Sequence, residues 1–285
     1  MNNLISYLFE TNAIKVCNGD KPFWYTSGKI GPYFINTHFV YGSEDDANSL
    51  LKFIDENKHD KLGMPKKLFE LINKQYENNK IFNDVINEMI SFIKENINVE
   101  EIDYISGGER RDWFFSYMAA SLLGKPHITI FKDLGAVISD SNFENTEMAK
   151  SIAGKKVLHI ADLMNQASSY IRAWIPAIQD LGGELVWSTV IVDRVQGGAQ
   201  RLEDLGIKSF AIAKINESLF KTAFEKGIIN QSQLDIVHNF IKDPDGSMRE
   251  FLINHPDFLE NALHSDEKTA GRARLCIDGN LYNLD

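Results

Sequence analysis

The sequence has only two cysteines, Cys17 and Cys276, and no apolar run that approaches the length of a membrane span. Two cysteines so far apart form no zinc-ligand pattern and indicate no disulfide framework. The first residues, MNNLISYLFETNAIK, contain a glutamate and asparagines where a signal peptide needs an unbroken apolar core. We therefore expect a cytoplasmic protein that does not bind membranes.

Positive charge is also scarce, since 30 lysines and arginines are outnumbered by 40 aspartates and glutamates, which leaves a net charge of −10. Such an excess of negative charge argues against a general nucleic-acid-binding protein, although it does not exclude a local basic pocket. The composition is otherwise ordinary, with 44% hydrophobic and 25% charged residues. A chain of 285 residues suffices for one large domain or two modest ones.

From about residue 102, short apolar strands alternate with helices. The pattern predicts strands at 102–105, 127–131, 156–161, 185–192 and 209–215, with helices at 113–123, 168–181 and 201–205. This alternation is typical of an α/β protein with a parallel twisted sheet flanked by helices, in which ligands bind beyond the carboxyl ends of the strands. The polar stretch 133–150 has the composition of a loop.

Two segments lie outside this alternation, and both are helical in pattern. In the first of them, one helix face carries the stripe Ile81, Val85, Met89 and Phe92. Neither border has the composition of a linker, so we predict a helical insertion and a helical C-terminal appendage on one α/β core. The predicted segments are 1–43, 44–101, 102–216 and 217–285.

Two turns after predicted strands contain basic residues. In SGGERRD, at 106–112, two glycines allow close approach of a ligand to the backbone, and Arg110 and Arg111 suit a phosphate or a carboxylate. An Asp112 N-cap with surface arginines accounts for this turn equally well. Lys132 follows the next strand, where a lysine is usually solvated.

Two further turns leave similar alternatives open. The stretch VLHIADLMNQASSY, at 157–170, joins a strand to a helix start, where phosphate often binds. Asp162 could order sugar hydroxyls or a metal-bound water, and Ser168 and Ser169 could cap the helix and donate hydroxyls to an anion. An ordinary turn with a serine cap is the more common meaning of such a sequence. Arg194, in VDRVQGG, could clamp a carboxylate or pair with Asp193.

Together with the order of these turns, the stretches SGKIGPYFIN and VDRVQGG resemble the type I phosphoribosyltransferase family, orotate phosphoribosyltransferases in particular. The resemblance covers residues 13–43 and about 102–215. It implies a glycosyltransferase of the pentosyltransferase type that transfers a phosphoribosyl group from phosphoribosyl pyrophosphate (PRPP) to orotate or a related planar acid in pyrimidine biosynthesis. It also implies magnesium bound through the pyrophosphate of PRPP, a homodimer, and a base-binding hood formed by residues 1–43.

The resemblance also implies site residues. It assigns the base-binding strand to Phe34 and Ile35 and the contact with orotate to Arg194, and it gives Lys132 and Asp162 catalytic positions. The other substrate-binding positions, in the pyrophosphate turn and the ribose-phosphate loop, are Arg110, Arg111, Gln166, Ser168 and Ser169. No metal-ligating residue of the chain is implied.

Two departures from the family pattern argue against activity. Ala161 replaces the first of two consecutive acids, and Asn165-Gln166-Ala167 replaces a Thr/Gly-rich turn, so backbone amides are not all expected to converge on a 5′-phosphate. Segment 134–149, in the place of a mobile basic loop, has no basic residue and would be an acidic lid over a pyrophosphate. The alternatives are a non-catalytic protein that binds a nucleotide or PRPP-like ligand, and a structural module that presents the insertion to a partner.

Overall fold

The computed structural model describes residues 3–19 and 21–284. The strands are β1 (Ile14–Val16), β2 (Phe23–Trp24), β3 (Ile30–Gly31), β4 (Tyr33–Ile35), β5 (Tyr104–Gly108), β6 (His127–Ile130), β7 (Ala136–Ser139), β8 (Thr146–Met148), β9 (Lys156–Met164), β10 (Glu184–Asp193) and β11 (Lys208–Lys214). The α-helices are α1 (Leu4–Glu10), α2 (Glu44–Asn57), α3 (Met64–Asn78), α4 (Lys80–Asn96), α5 (Trp113–Leu123), α6 (Ile175–Asp180), α7 (Gly198–Asp204), α8 (Glu217–Glu225), α9 (Gln231–Lys242), α10 (Pro244–Asn254), α11 (Asp257–Leu263) and α12 (Glu267–Asp278). Among the described residues, none of these helices combines the length and apolarity that crossing a membrane requires.

Several helix ends follow local signals in the sequence. The Ser43 hydroxyl accepts a hydrogen bond from the Asp46 N–H (3.0 Å) at the start of α2, whose first turn is acidic. The Asn79 side chain caps α4 in the same way, by accepting from the Phe82 N–H (3.0 Å). Gly124 ends α5 in the left-handed conformation (φ +65°), which confirms the predicted stop.

By their contacts the residues fall into two units, the first of which is Met1–Ala13 with Asn36–Ile215. Its seven-stranded sheet has the order β11-β10-β9-β5-β6-β7-β8. The first five of these strands are parallel, and β7 and β8 extend the sheet antiparallel. The predicted α/β fold, a sheet flanked by helices, is confirmed. Because β6 lies on one side of β5 and β9 on the other, the strand order reverses between β5 and β9, where a ligand crevice is expected.

The prediction that 133–150 is a loop is wrong, because this segment contains β7 and β8. Between these strands Phe143 is fully buried, and its ring stacks on those of Tyr117 (4.4 Å between centroids) and Phe69 (4.7 Å). In the register of β7, Ala136 is opposite Ile130 and Ser139 opposite His127, so the hairpin tip lies at the amino end of β6. The segment is therefore not an acidic lid over the carboxyl ends of the strands.

The insertion packs on the sheet through helix α5. All of α5 from Trp113 to Ala120 is buried, because it lies between the sheet and the helices α3 and α4. The predicted stripe on α4 is confirmed in its centre, at Val85 and Met89, but its ends are shifted. The buried face of α4 consists of Phe82, Val85, Ile86, Met89, Ile90 and Ile93.

The second unit is Ile14–Ile35 with Asn216–Asp285. It has two small antiparallel sheets, β1-β4 and β2-β3, and the helices α8–α12. The buried Ile30 donates its N–H to the hydroxyl of Tyr282 (2.8 Å), and the Trp24 ring stacks on Phe258 (5.6 Å). Tyr33, which precedes Phe34 and Ile35 in β4, packs its ring against those of Phe220 (5.1 Å) and Phe240 (5.6 Å), so the predicted base-binding strand and the C-terminal helices share one core.

Replacing Phe143 by alanine tests whether the hairpin depends on that buried ring. We expect Phe143→Ala to lower the free energy of unfolding by about 3–5 kcal/mol, since two ring stacks are lost and a cavity is left. The measurement is urea denaturation. Met148→Ala, on β8 with half of its surface exposed, is the control and should change the free energy by about 0.5 kcal/mol or less. Equal effects of the two substitutions would contradict the role of Phe143.

Candidate ligand-binding site

The crevice expected at the strand-order reversal is present. A cavity of about 350 Å³ lies at the carboxyl ends of β5 and β9. On one side it is lined by residues 109–112, which follow β5, and on the other by residues 161–170 and Trp174. Two turns that are distant in sequence thus form opposite walls of one cavity.

Gly107 and Gly108, predicted in a turn, are instead the last residues of β5, and they serve packing within the protein. A Cβ atom at Gly107 would overlap the side chain of Ser116, and one at Gly108 would overlap the Trp174 ring. The backbone therefore needs glycine here for helices to approach, and this explains the glycines without the close ligand approach expected from the sequence. The peptide bond between Glu109 and Arg110 is cis.

Asp112 joins the two walls of the cavity. Its Oδ2 accepts a hydrogen bond from the Gly108 N–H (3.2 Å), and its Oδ1 accepts one from the Asp162 N–H (3.1 Å). The alternative interpretation of Asp112 as a side-chain N-cap of α5 is wrong, because the carboxylate makes no capping hydrogen bond. The carboxylate instead holds the ends of β5 and β9 together.

A buried histidine lies beneath Asp112. The Nδ1 of His159 is 2.9 Å from the hydroxyl of Ser106, and its Nε2 is 3.5 Å from Asp112 Oδ2 without the geometry of a hydrogen bond. The side chains of Ser106 and His159 are fully buried, and that of Asp112 is 11% exposed. The sequence analysis missed Asp112 and His159 as site residues. A histidine inside the apolar run VLHIA was the available signal, since buried polar groups in strands usually have a specific partner.

Asp162 is buried within β9, which continues through Met164 because it pairs with β10 to that point. Its Oδ2 has no hydrogen-bond partner among the described residues. Burial, with the nearby Asp112 carboxylate, raises the pKa of Asp162, and the Arg111 guanidinium opposes this rise. The lining of the cavity therefore includes a buried carboxyl group with one unpartnered oxygen.

The loop after β9 has the bend that a glycine favours, although its sequence lacks glycine. Ala167 adopts φ +54°, in the left-handed region. The Gly198 N–H donates to the Asn165 carbonyl (3.1 Å), and the Arg201 guanidinium donates to the Gln166 carbonyl (3.1 Å). These contacts from α7 hold the loop in a bend that its own sequence disfavours.

The helix that follows this loop begins as a π-helix, Tyr170–Trp174. Ser169 precedes it without making a side-chain capping hydrogen bond, and both Ser168 and Ser169 are exposed. The predicted serine cap is therefore wrong for Ser169. Both serines line the cavity.

Left-handed backbone recurs at the carboxyl ends of the strands. Leu134 follows β6 with φ +67°, Ala167 follows β9, and Val195 follows β10 with φ +56°. These are three of the four described residues, other than glycine and asparagine, that have positive φ. Each such conformation costs about 1–3 kcal/mol, and such strain tends to concentrate at ligand sites. The clustering supports a functional site at this edge of the sheet.

A second cavity, of about 610 Å³, shares part of its lining with the first. The shared residues are Glu109, Arg110, Ser169 and Trp174. The second cavity adds Lys132 from the turn after β6, Arg172, and two residues of the insertion, Asp55 and Lys58. No pattern in the sequence had indicated that the insertion reaches this edge of the sheet.

Seven of the ten predicted site residues line these two cavities: Arg110, Arg111, Lys132, Asp162, Gln166, Ser168 and Ser169. Arg194 is half-buried at the end of β10, outside both linings, and its N–H donates to the Met164 carbonyl (2.9 Å). Phe34 and Ile35 lie in β4 of the second unit, where the Phe34 ring packs edge-on against Phe23 (4.8 Å). The roles of all ten residues stay predictions.

Replacing Ala167 by glycine tests the strain in the loop. We expect Ala167→Gly to raise the free energy of unfolding by up to about 1 kcal/mol, because relief of the left-handed penalty exceeds the added entropy of the unfolded chain. Ala199→Gly, inside α7, is the matched control and should lower it by about 1 kcal/mol. Chemical denaturation measures both, and a loss of stability in Ala167→Gly would contradict the strained bend.

The raised pKa of Asp162 makes a prediction about pH. Between the ordinary aspartate pKa of about 3.9 and the raised value, the folded state holds a proton that the unfolded state has lost, so stability falls as pH rises. We expect Asp162→Asn to remove this part of the pH dependence and to be more stabilising at higher pH. Denaturation of both proteins over a pH series measures it, with the exposed Asp180→Asn as control. Parallel pH profiles of wild type and Asp162→Asn would contradict the assignment.

No family model matches the chain. The chain is 30% identical over 142 residues to an orotate phosphoribosyltransferase of Sulfurisphaera tokodaii, which covers 49% of this chain and 67% of that protein. Among solved structures, UMP synthase of Leishmania donovani matches with a TM-score of 0.56 and 17% identity, over 84% of this chain and 42% of that one. The orotate phosphoribosyltransferase of Francisella tularensis matches with a TM-score of 0.54 and 14% identity, over 84% and 96%. The two structures share the fold, and the sequence relative identifies the group: the chain belongs to the orotate phosphoribosyltransferase family.

Proposed function

We propose that the protein transfers the phosphoribosyl group of PRPP to orotate or a related planar acid and releases pyrophosphate. The observation that carries this proposal is the cavity at the β5–β9 reversal, which has two arginines on one wall and a buried carboxyl group with an unpartnered oxygen on the other. A ligand with a diphosphate at one end and sugar hydroxyls at the other matches both walls. PRPP is such a ligand.

In this proposal the protein acts by holding the reactants and stabilising the leaving group. The ribosyl carbon develops positive charge as its bond to pyrophosphate breaks, so the acceptor base has to be aligned opposite the leaving group. Arg110 and Arg111 bind the departing pyrophosphate, and Lys132 adds charge from the second cavity. Asp162 accepts hydrogen bonds from the ribose hydroxyls through its free oxygen.

The 5′-phosphate lies, in this proposal, at the loop after β9. Gln166, Ser168 and Ser169 line the cavity there and supply amide and hydroxyl donors. The left-handed Ala167 turns the loop around them. Donor side chains thus replace part of the glycine-rich backbone that the family pattern has in this position.

Magnesium enters this proposal with the substrate. In the described part of the chain no three His, Cys, Asp or Glu side chains are grouped to hold a metal ion. Magnesium is commonly bound by one or two carboxylates together with substrate phosphates. Asp162, which lines the cavity, would supply one such carboxylate once it has lost its proton. When bound, the ion neutralises charge on the pyrophosphate.

Base recognition rests on the family resemblance alone. In this proposal Arg194 contacts the carboxylate of orotate, and the backbone of Phe34 and Ile35 reads the edge of the pyrimidine. The homodimer implied by the resemblance and the cytoplasmic location expected from the sequence also stay predictions.

One observation favours the alternative of a protein that binds PRPP or a nucleotide without turnover. The hairpin β7–β8 leads away from the carboxyl ends of the strands, so segment 134–149 does not cover the cavity. An uncovered site excludes water poorly, and exclusion of water strengthens the electrostatic stabilisation on which such a transfer depends.

Orotate absorbance in the presence of PRPP and magnesium tests the proposed reaction. We expect turnover by the wild type and a fall in kcat/KM of about 10–100-fold in Arg111→Met, since one charged hydrogen bond to phosphate is lost. Lys155→Met, paired with Asp103 at the amino end of β9, should behave like the wild type.

The melting temperature in the presence of each ligand separates the alternatives. A rise with PRPP and magnesium but no consumption of orotate would favour the binding protein. Neither turnover nor a shift in melting temperature would overturn both.

A further inference from the structure

The inserted helix α2 makes direct contact with the turn after β5. Lys58, at the C-cap of α2, donates from Nζ to Glu109 Oε1 (2.9 Å) and to Asp55 Oδ1 (3.1 Å). Asp55, one turn earlier on the helix, forms an ion pair with Arg110. Two consecutive residues of the candidate pyrophosphate turn are therefore each paired with a residue of the insertion.

Glu109 is a structural member of this cluster. Its side chain is 7% exposed; Oε1 accepts from Lys58 and Oε2 accepts from the Lys132 N–H (2.9 Å). Both carboxylate oxygens are thus used within the protein, and they fix the Lys58 ammonium beside the turn. The hydrogen bond to Glu109 raises the pKa of Lys58, so the ammonium stays charged.

The second cavity has an excess of positive charge, although the whole chain is acidic. Its lining contains four basic side chains, Lys58, Arg110, Lys132 and Arg172, and two acidic ones, Asp55 and Glu109. Within the described ranges, the side chains of Lys132 and Arg172 are in no ion pair. A concave site with this balance raises the local concentration of anions.

We propose that Lys58 of the inserted helix binds the diphosphate group of the substrate, and that this group displaces Asp55 from Arg110. The inference rests on the proposed function for the identity of the diphosphate. It assigns to α2 the positive charge that segment 134–149 lacks, in a cavity whose lining contains none of residues 134–149.

The chemistry of the cluster suits such an exchange. An ammonium has three donor hydrogens; Glu109 and Asp55 take two of them, which leaves one for a phosphate oxygen. Asp55 is 43% exposed, and exposed ion pairs are weak, so a multiply charged phosphate can replace its carboxylate. Glu109 is buried and keeps its hydrogen bond to Lys58, so the ammonium does not move away.

A different role for the same contacts is a clamp that only attaches the insertion to the core. The two roles make opposite predictions for Asp55. A clamp loses stability when Asp55 becomes asparagine and gains nothing in ligand binding. If Asp55 is instead a counterion that the ligand displaces, its replacement by asparagine leaves Arg110 more available to an anion.

Calorimetric titration with inorganic pyrophosphate, with and without magnesium, tests the proposal. We expect Lys58→Met to raise the dissociation constant for pyrophosphate by about tenfold or more, and Lys58→Arg to retain most of the affinity. Asp55→Asn should bind pyrophosphate about twofold to tenfold more tightly, because a competing carboxylate is gone. Lys52→Met is the matched control, since Lys52 lies on the same helix, is 76% exposed and pairs with Glu56; its affinity should equal that of the wild type.

Two results would overturn the proposal. One is unchanged affinity in both Lys58→Met and Asp55→Asn. The other is weaker binding in Asp55→Asn together with a lower melting temperature, which is the behaviour of a clamp. If Lys58→Met does not fold, the comparison of Lys58→Arg and Asp55→Asn decides.

The titration needs neither orotate nor turnover, so the two proposals can fail separately. If the affinities follow the expected pattern but the protein does not consume orotate, the anion site is supported and the proposed reaction is overturned. If the wild type turns over orotate and Lys58→Met leaves the KM for PRPP unchanged, the proposed reaction is supported and the role of Lys58 is overturned.

Discussion

A single buried carboxylate, that of Asp112, holds together the two turns that form the candidate site. Its oxygens accept the backbone N–H groups of Gly108 and Asp162, which belong to neighbouring strands of the sheet. A carboxylate removed from water needs donors, and here the donors come from the ends of two neighbouring strands. The separation between the arginines of one wall and the carboxyl group of the other depends on this side chain.

The two walls of the cavity differ in charge. Burial, with the nearby Asp112 carboxylate, raises the pKa of Asp162, so this wall carries a neutral carboxyl group at pH values where an ordinary aspartate is ionised. On the other wall, Arg110 and Arg111 favour an anion. A substrate with hydroxyls next to a diphosphate satisfies both walls at once, and this is the physical basis of the proposed function.

The sheet from β5 to β11 was largely predictable from the sequence, because strands buried on both faces appear as apolar runs. The hairpin β7–β8 was not. Its strands have four and three residues, and β8 is mostly exposed, so neither has a strong periodic pattern. The hairpin is held by the ring of Phe143 between Phe69 and Tyr117, and contacts between such distant residues leave no local signal.

Local sequence patterns alone placed Arg110, Lys132 and Asp162 at the carboxyl ends of strands, because the type and order of secondary structure follow from periodicity and turn residues. They could not reveal the bridge made by Asp112, the left-handed Ala167 or the approach of Lys58. Each of these depends on which distant surfaces pack together, and only the folded chain decides that. The family was visible in the sequence, whereas the arrangement of charge around the cavity arose from the tertiary structure.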